Sequence, residues 1–155
     1  MQIQSQAFKR WQLPLEDQPQ RTSAIAPANF RILIVNEDMR SADSLKHTLH
    51  DLGYFTSLTA YSARRALQAV EEFAPAVALL DLELPDMTGY QLAHKLRTHM
   101  STCVRQVPLL AVTELLQHGT DDRTRAAGFV GCLAKPVERR ALNALLARVH
   151  AGPLS

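Results

Sequence analysis

Cysteine is nearly missing from this chain: Cys103 and Cys132 are the only two, and they show no metal-ligand spacing. A disulfide framework is therefore not expected, and a reducing compartment is the default. Long apolar runs are missing as well. Nothing approaches the roughly 18 consecutive apolar residues of a membrane span. At the N-terminus Lys9, Arg10, Glu16 and Asp17 interrupt any signal-peptide core, so a cytoplasmic protein without membrane insertion is expected. An excess of one charge is also lacking, since 17 basic against 15 acidic residues leave a formal net charge of +2. The arginines are scattered apart from the pairs Arg64-Arg65 and Arg139-Arg140, each read as a solvated helix face. That pattern gives no electrostatic footprint for nucleic acid. The turn Asn36-Glu37-Asp38-Met39 contains no glycine, which removes a dinucleotide-binding domain from consideration. No internal repeat or low-complexity tract occurs.

What remains is an ordinary globular composition, 46% hydrophobic and 21% charged over 155 residues, enough for one domain with a real core. Residues 1–29 differ from the rest, with frequent Gln, Pro and Ser and no sustained apolar period. They are read as a mobile arm or linker, although Phe8, Trp11, Leu13 and Leu15 would also serve as anchors of a docking segment. Trp11 could equally pack back on the domain. From Phe30 the pattern turns regular, and residues 30–150 form the domain, followed by a short tail, 151–155. Strands are expected at Phe30–Val35, Tyr54–Thr59, Ala76–Leu80, Pro108–Val112 and Val130–Ala134. Between and after them, five helices are expected. Arg40–Leu52 stops at Gly53; a second, capped by Ser62, ends before Pro75; a third lies near Thr88–Met100. A fourth near Thr120–Ala127 ends at Gly128, and Val137–His150 is the last. Strict alternation of strand and helix predicts an α/β fold, a doubly wound five-stranded parallel sheet of (βα)5 type.

Chemistry gathers at strand ends. Asp81 closes the apolar run Val77-Ala78-Leu79-Leu80, Thr113 closes Leu109-Leu110-Ala111-Val112, and Lys135 follows Cys132-Leu133-Ala134 and precedes Pro136. Singly, each has a bland reading: a turn-forming Asp, a strand-favouring Thr, a surface Lys. Jointly they place an acid, a hydroxyl and an amine at the rim where open α/β sheets bind ligands. With strand order 2-1-3-4-5, Glu37 at the end of the first strand lies beside Asp81. Two carboxylates in one crevice repel, and a hard cation such as Mg²⁺ relieves the repulsion. Asp81 is then a nucleophile forming an acyl phosphate, with Lys135 and Thr113 as donors to the phosphoryl oxygens.

From about Phe30 to His150 the sequence resembles the CheY-like receiver domain of two-component signalling, a flavodoxin-like fold. The resemblance is carried by Leu79-Leu80-Asp81-Leu82-Glu83-Leu84-Pro85-Asp86-Met87-Thr88-Gly89 and by Leu133-Ala134-Lys135-Pro136. It implies that Asp81 accepts phosphate from a sensor histidine kinase or a histidine phosphotransfer protein. It also implies that Thr113 and Lys135 report and stabilise the phosphate, and that the Glu83 main-chain carbonyl joins Glu37 and Asp81 as metal ligands. The function implied is a switch acting on a downstream protein target, not an enzyme. If complete, the chain works by binding a partner or by passing phosphate to a histidine elsewhere; if excised from a hybrid kinase, its first thirty residues are a linker.

Three positions depart from the family. Asn36 and Glu37 stand where two acids are usual, which weakens metal binding. Glu114 follows the threonine where a small residue is usual; pointing inward it would slow phosphorylation, and pointing to solvent it would do little. Cys132 occupies the place of an aromatic switch residue and, read as buried in its strand, acts as a small hydrophobe. Output is then expected from the loop and helix after Thr113. These departures motivate an alternative, a degenerate receiver used as a phosphorylation-independent binding module. A hydrolase with an aspartyl-phosphate intermediate is set aside, because it needs an Asp where Glu83 stands.

Overall fold

The computed structural model describes residues 30–114 and 120–151. The expected arm, 1–29, the loop at 115–119 and tail residues 152–155 lie outside the described residues. Five parallel strands, β1 (Ile32–Val35), β2 (Ser57–Ala60), β3 (Val77–Asp81), β4 (Leu109–Thr113) and β5 (Phe129–Ala134), are ordered β2-β1-β3-β4-β5. This is the expected doubly wound sheet. Pairs such as Ile34↔Leu79, Leu80↔Ala111 and Ala111↔Cys132 fix its register, with one irregularity opposite Leu109/Leu110.

Alternation along these strands sorts the core into two layers. Leu33, Val35, Ala78, Leu80, Leu109 and Ala111 face α2 (Ala63–Phe73) and α3 (Gly89–Arg97), meeting Ala66, Val70, Leu92 and Leu96. Ile32, Ile34, Val77, Leu79, Leu110 and Val112 face α1 (Met39–Asp51) and α6 (Arg139–His150), meeting Leu45, Leu49, Leu142 and Leu146. A side chain pointing to either side of the central strands finds a helix, which is why these strands read as unbroken apolar runs.

Helix boundaries follow local chemistry. Gly53, at φ 98°, closes α1; its N–H donates to His50 O, and the Tyr54 N–H donates to Leu49 O. That Schellman arrangement turns Tyr54 into the core, 5% exposed. The second strand therefore starts at Ser57 rather than at Tyr54 as expected. Ser62 caps α2 as expected, its hydroxyl accepting from the Arg65 N–H. The third expected helix is shorter than its pattern implied. It ends at Arg97, and Ser101 caps a separate turn, α4 (Thr102–Arg105), so the helices number six among the described residues, the fifth being α5 (Thr120–Ala126). The break is held by Arg97, whose half-buried guanidinium donates to the carbonyls of Arg105, Val107 and Gly128 at 2.8–2.9 Å. No helix among the described residues is long and apolar enough to cross a membrane.

Candidate functional site

At the C-terminal edge of the sheet, three strand ends bring their polar residues together. β3 and β4 are buried along their whole length, so Asp81 and Thr113 enter the rim from beneath, 2% and 1% exposed. The chain leaving β5 delivers Lys135, whose main-chain N–H donates to Thr113 O at 2.9 Å; the following Lys135–Pro136 peptide is cis. Lys135 Nζ then meets Asp81 Oδ2 at 2.6 Å. The other carboxylate oxygen, Oδ1, accepts the Glu83 N–H at 3.0 Å. Asp81 is thus nearly buried yet satisfied on both oxygens, as an ionised carboxylate at this depth must be.

Glu83 contributes more than its main chain. Its carboxylate accepts from the Thr113 hydroxyl at 3.4 Å, a long contact, and lies near that of Asp81. Partial burial and then the Asp81 charge push the Glu83 carboxyl above the usual carboxylate range, while Lys135 and Thr113 pull it back. Sequence reasoning assigned this residue only its carbonyl. The available signal was its place two residues beyond Asp81, just past a strand end.

The end of β1 plays two parts. Val35 pairs with Leu80, so Asn36 and Glu37 emerge beside Asp81. Asn36, 4% exposed, turns its side-chain oxygen to the Asp38 N–H at 2.9 Å, and Asp38 in turn caps α1 by accepting from the Ser41 N–H and hydroxyl. Asn36 therefore shapes the turn, whereas Glu37 is exposed. Among the described residues, no three His, Cys, Asp or Glu side chains converge as a metal cluster. Glu37 lies just past the end of β1, the strand that neighbours β3 and Asp81. Glu114 is exposed. Cys132 is half-buried against the layer under α2 and α3, not buried as expected, because β5 is the sheet's edge and covered less completely.

The loop after β3 is pinned at two points. Gly89 approaches the backbone so closely that an added Cβ would lie 2.6 Å from Asp81 O and 2.8 Å from Leu82 Cα. Asp86 accepts from the Ala63 and Arg64 N–H groups at 3.0 and 2.9 Å, tying the loop to the start of α2. Sequence reasoning missed that role.

The model of the response regulator receiver domain family matches residues 32–147. The chain belongs to that family. The polar-differentiation response regulator DivK of Brucella ovis is 26% identical over 106 residues, covering 68% of this chain and 84% of its own. The chemotaxis response regulator CheY4 of Vibrio cholerae superposes with a TM-score of 0.69 at 28% identity, covering 77% of this chain and 97% of that one. The receiver domain of a sensor histidine kinase from Pseudomonas aeruginosa, solved with a magnesium ion in its active-site cleft, gives a TM-score of 0.70 at 26% identity over 79% of this chain and 98% of its own.

Proposed function

We propose that this receiver domain is a reversible phospho-aspartate switch, with Asp81 accepting a phosphoryl group from a sensor histidine kinase or histidine phosphotransfer protein. The observation that carries the reading is the 2.6 Å pairing of Asp81 with Lys135 beside the Thr113 hydroxyl. In the proposed step an Asp81 carboxylate oxygen attacks phosphorus, the new P–O bond gives an acyl phosphate, and the bond to the donor's leaving group breaks. The lost carboxylate charge frees the Lys135 ammonium to pair with a phosphoryl oxygen. Thr113, now directed at Glu83, donates to the phosphoryl group instead.

Mg²⁺ suits the donors at this rim, which are all oxygens. It takes one or two carboxylates and retains several waters, so it does not need a cluster of three acidic side chains. Asp81, Glu37 and the Glu83 carbonyl would hold it, and when bound it neutralises phosphoryl oxygens. With one acid fewer than the family pattern, the affinity is expected to be weak.

The phosphorylated state would favour one of two conformers and alter a surface built from α5, β5 and α6, read by a downstream protein target. Half-buried Cys132 offers no ring to swing, so the change is assigned to the segment after Thr113. The exposed side chain of Glu114 leaves the pocket's charge balance nearly untouched. Residues 1–29 are proposed as an arm or linker preceding the 30–150 domain, in a protein working in the cytoplasm.

Incubation with acetyl phosphate and Mg²⁺, followed by intact-mass measurement, tests the reading. The chain should gain one phosphoryl group, and Asp81→Asn should gain none. An unchanged mass for the wild-type chain would instead leave a phosphorylation-independent binding module.

A further inference from the structure

One side of α1 is used neither by the core nor by the pocket. Asp43, Lys46, His47 and His50 recur at three- and four-residue intervals and so share a face. With Tyr54 and Phe55 they line a groove of about 330 Å³ between α1 and the approach to β2. Phe55 stands at its rim, 63% exposed, with its ring edge-on to His50 at a centroid distance of 4.5 Å. The groove therefore offers an uncovered aromatic surface beside one lysine and two histidines, opposed by a single acid.

The chain carries a segment that matches this surface. Phe30, where the described residues begin, packs on Tyr54 with ring centroids 5.4 Å apart, and Tyr54 lines the groove. The preceding residues are thus tethered at the groove's edge. Among them Trp11, Leu13 and Leu15 are followed directly by Glu16 and Asp17, the only acids before Phe30. The apolar side chains suit Phe55, and the two acids complement Lys46, His47 and His50. The 14 residues between Leu15 and Phe30 span about 20 Å as a flexible chain, so the segment reaches the groove without strain. A tether of this kind supplies an effective concentration of order millimolar. A contact with an intrinsic Kd of about 1 mM would then be roughly half formed.

We infer that Trp11–Asp17 docks in the α1–β2 groove of its own domain. The inference does not depend on the phosphoacceptor role of Asp81. Trp11 is the sole tryptophan, so its fluorescence reports the contact directly. In the full chain, acrylamide quenching of Trp11 should be about half as efficient as in Phe55→Ser, with no dependence on protein concentration. Lys46→Glu should raise quenching partway, and combining it with Glu16→Lys and Asp17→Lys should reverse that rise. Equal quenching in wild type, Phe55→Ser and Lys46→Glu would overturn the inference, whether Trp11 were exposed or packed elsewhere. Protection that appears only as concentration and oligomer size increase would overturn it too, assigning the groove to a second copy.

Discussion

The loop after β3 has two halves that use the same chemical group in opposite ways. In the first half Glu83 turns its carboxylate back toward Asp81 and Thr113, and its pKa is pushed up by burial and by a neighbouring negative charge. In the second half, three residues on, Asp86 points away to the start of α2, and its pKa is held down by the N–H groups of Ala63 and Arg64. Both side chains are largely exposed. Desolvation at the carboxyl and the partner it faces therefore decide the behaviour of these acids, not the exposure of the residue as a whole. An acid facing another acid is poised for a changing site, whereas an acid facing unsatisfied helix donors is a fixture. Asp81 lies between these cases, with a main-chain N–H on one oxygen and an ammonium on the other.

The largest test of that division removes the ammonium. Lys135→Ala should leave the fold intact, because Lys135 sits at the rim with 18% of its side chain exposed, so water can reach part of what it leaves behind. Its response to phosphate should collapse. Adding beryllium fluoride and Mg²⁺ should produce large NMR shift changes in the wild-type chain around Thr113 and α5, and few in the variant. An equal response in both would mean that Lys135 merely neutralises Asp81 and plays no part in the switch.

Much of this was legible in the sequence. Asp81, Thr113 and Lys135 could be placed at the rim because each follows an apolar run, and a buried parallel strand has only one kind of signature. Ser62, Gly53 and Gly128 marked helix ends through local chemistry that acts without tertiary help; both glycines adopt positive φ, 98° and 101°. What stayed hidden depends on contacts across the fold. Arg97 ends α3 by reaching carbonyls as far away as Gly128, and no pattern within residues 88–100 contains that information. Asp86 drew no reading of its own beyond its place in the motif, because its partners lie 22 and 23 positions earlier. Cys132 looked buried because it sits in an apolar run; the expected strand order already put β5 at the sheet's edge, but how completely the helices cover that edge is set by tertiary packing.

Asp86→Ala tests the fixed half. Two N–H groups at the start of α2 lose their acceptor, and the expected loss is about 1 kcal/mol, typical of a missing helix cap. Phosphoryl uptake by Asp81 should persist. The pH dependence has a definite sign: a carboxyl held below its ordinary value in the folded state contributes stability above that value and loses it as pH falls through the folded value. The gap between wild type and Asp86→Ala in urea unfolding should thus be full at neutral pH and close in acid. A gap that stayed constant down to pH 2 would show that the hydrogen bonds work equally well to a neutral carboxyl.

Glu83→Gln gives the smallest effect and the sharpest contrast, because its sign is opposite. A carboxyl raised in the folded state binds its proton more tightly there than in the unfolded chain. Its ionisation therefore lowers stability as pH rises from the unfolded value through the folded one. Glutamine keeps a side-chain oxygen for Thr113 but removes the charge facing Asp81. Above that window Glu83→Gln should be the more stable protein, by a few tenths of a kcal/mol given how exposed the group is, and below it the two should coincide. Urea unfolding of both proteins without Mg²⁺, from about pH 3 to pH 7, measures this. If the variant were instead less stable at neutral pH, the contact between Glu83 and Thr113 would outweigh the repulsion from Asp81, and Glu83 would belong with Asp86 among the fixed acids.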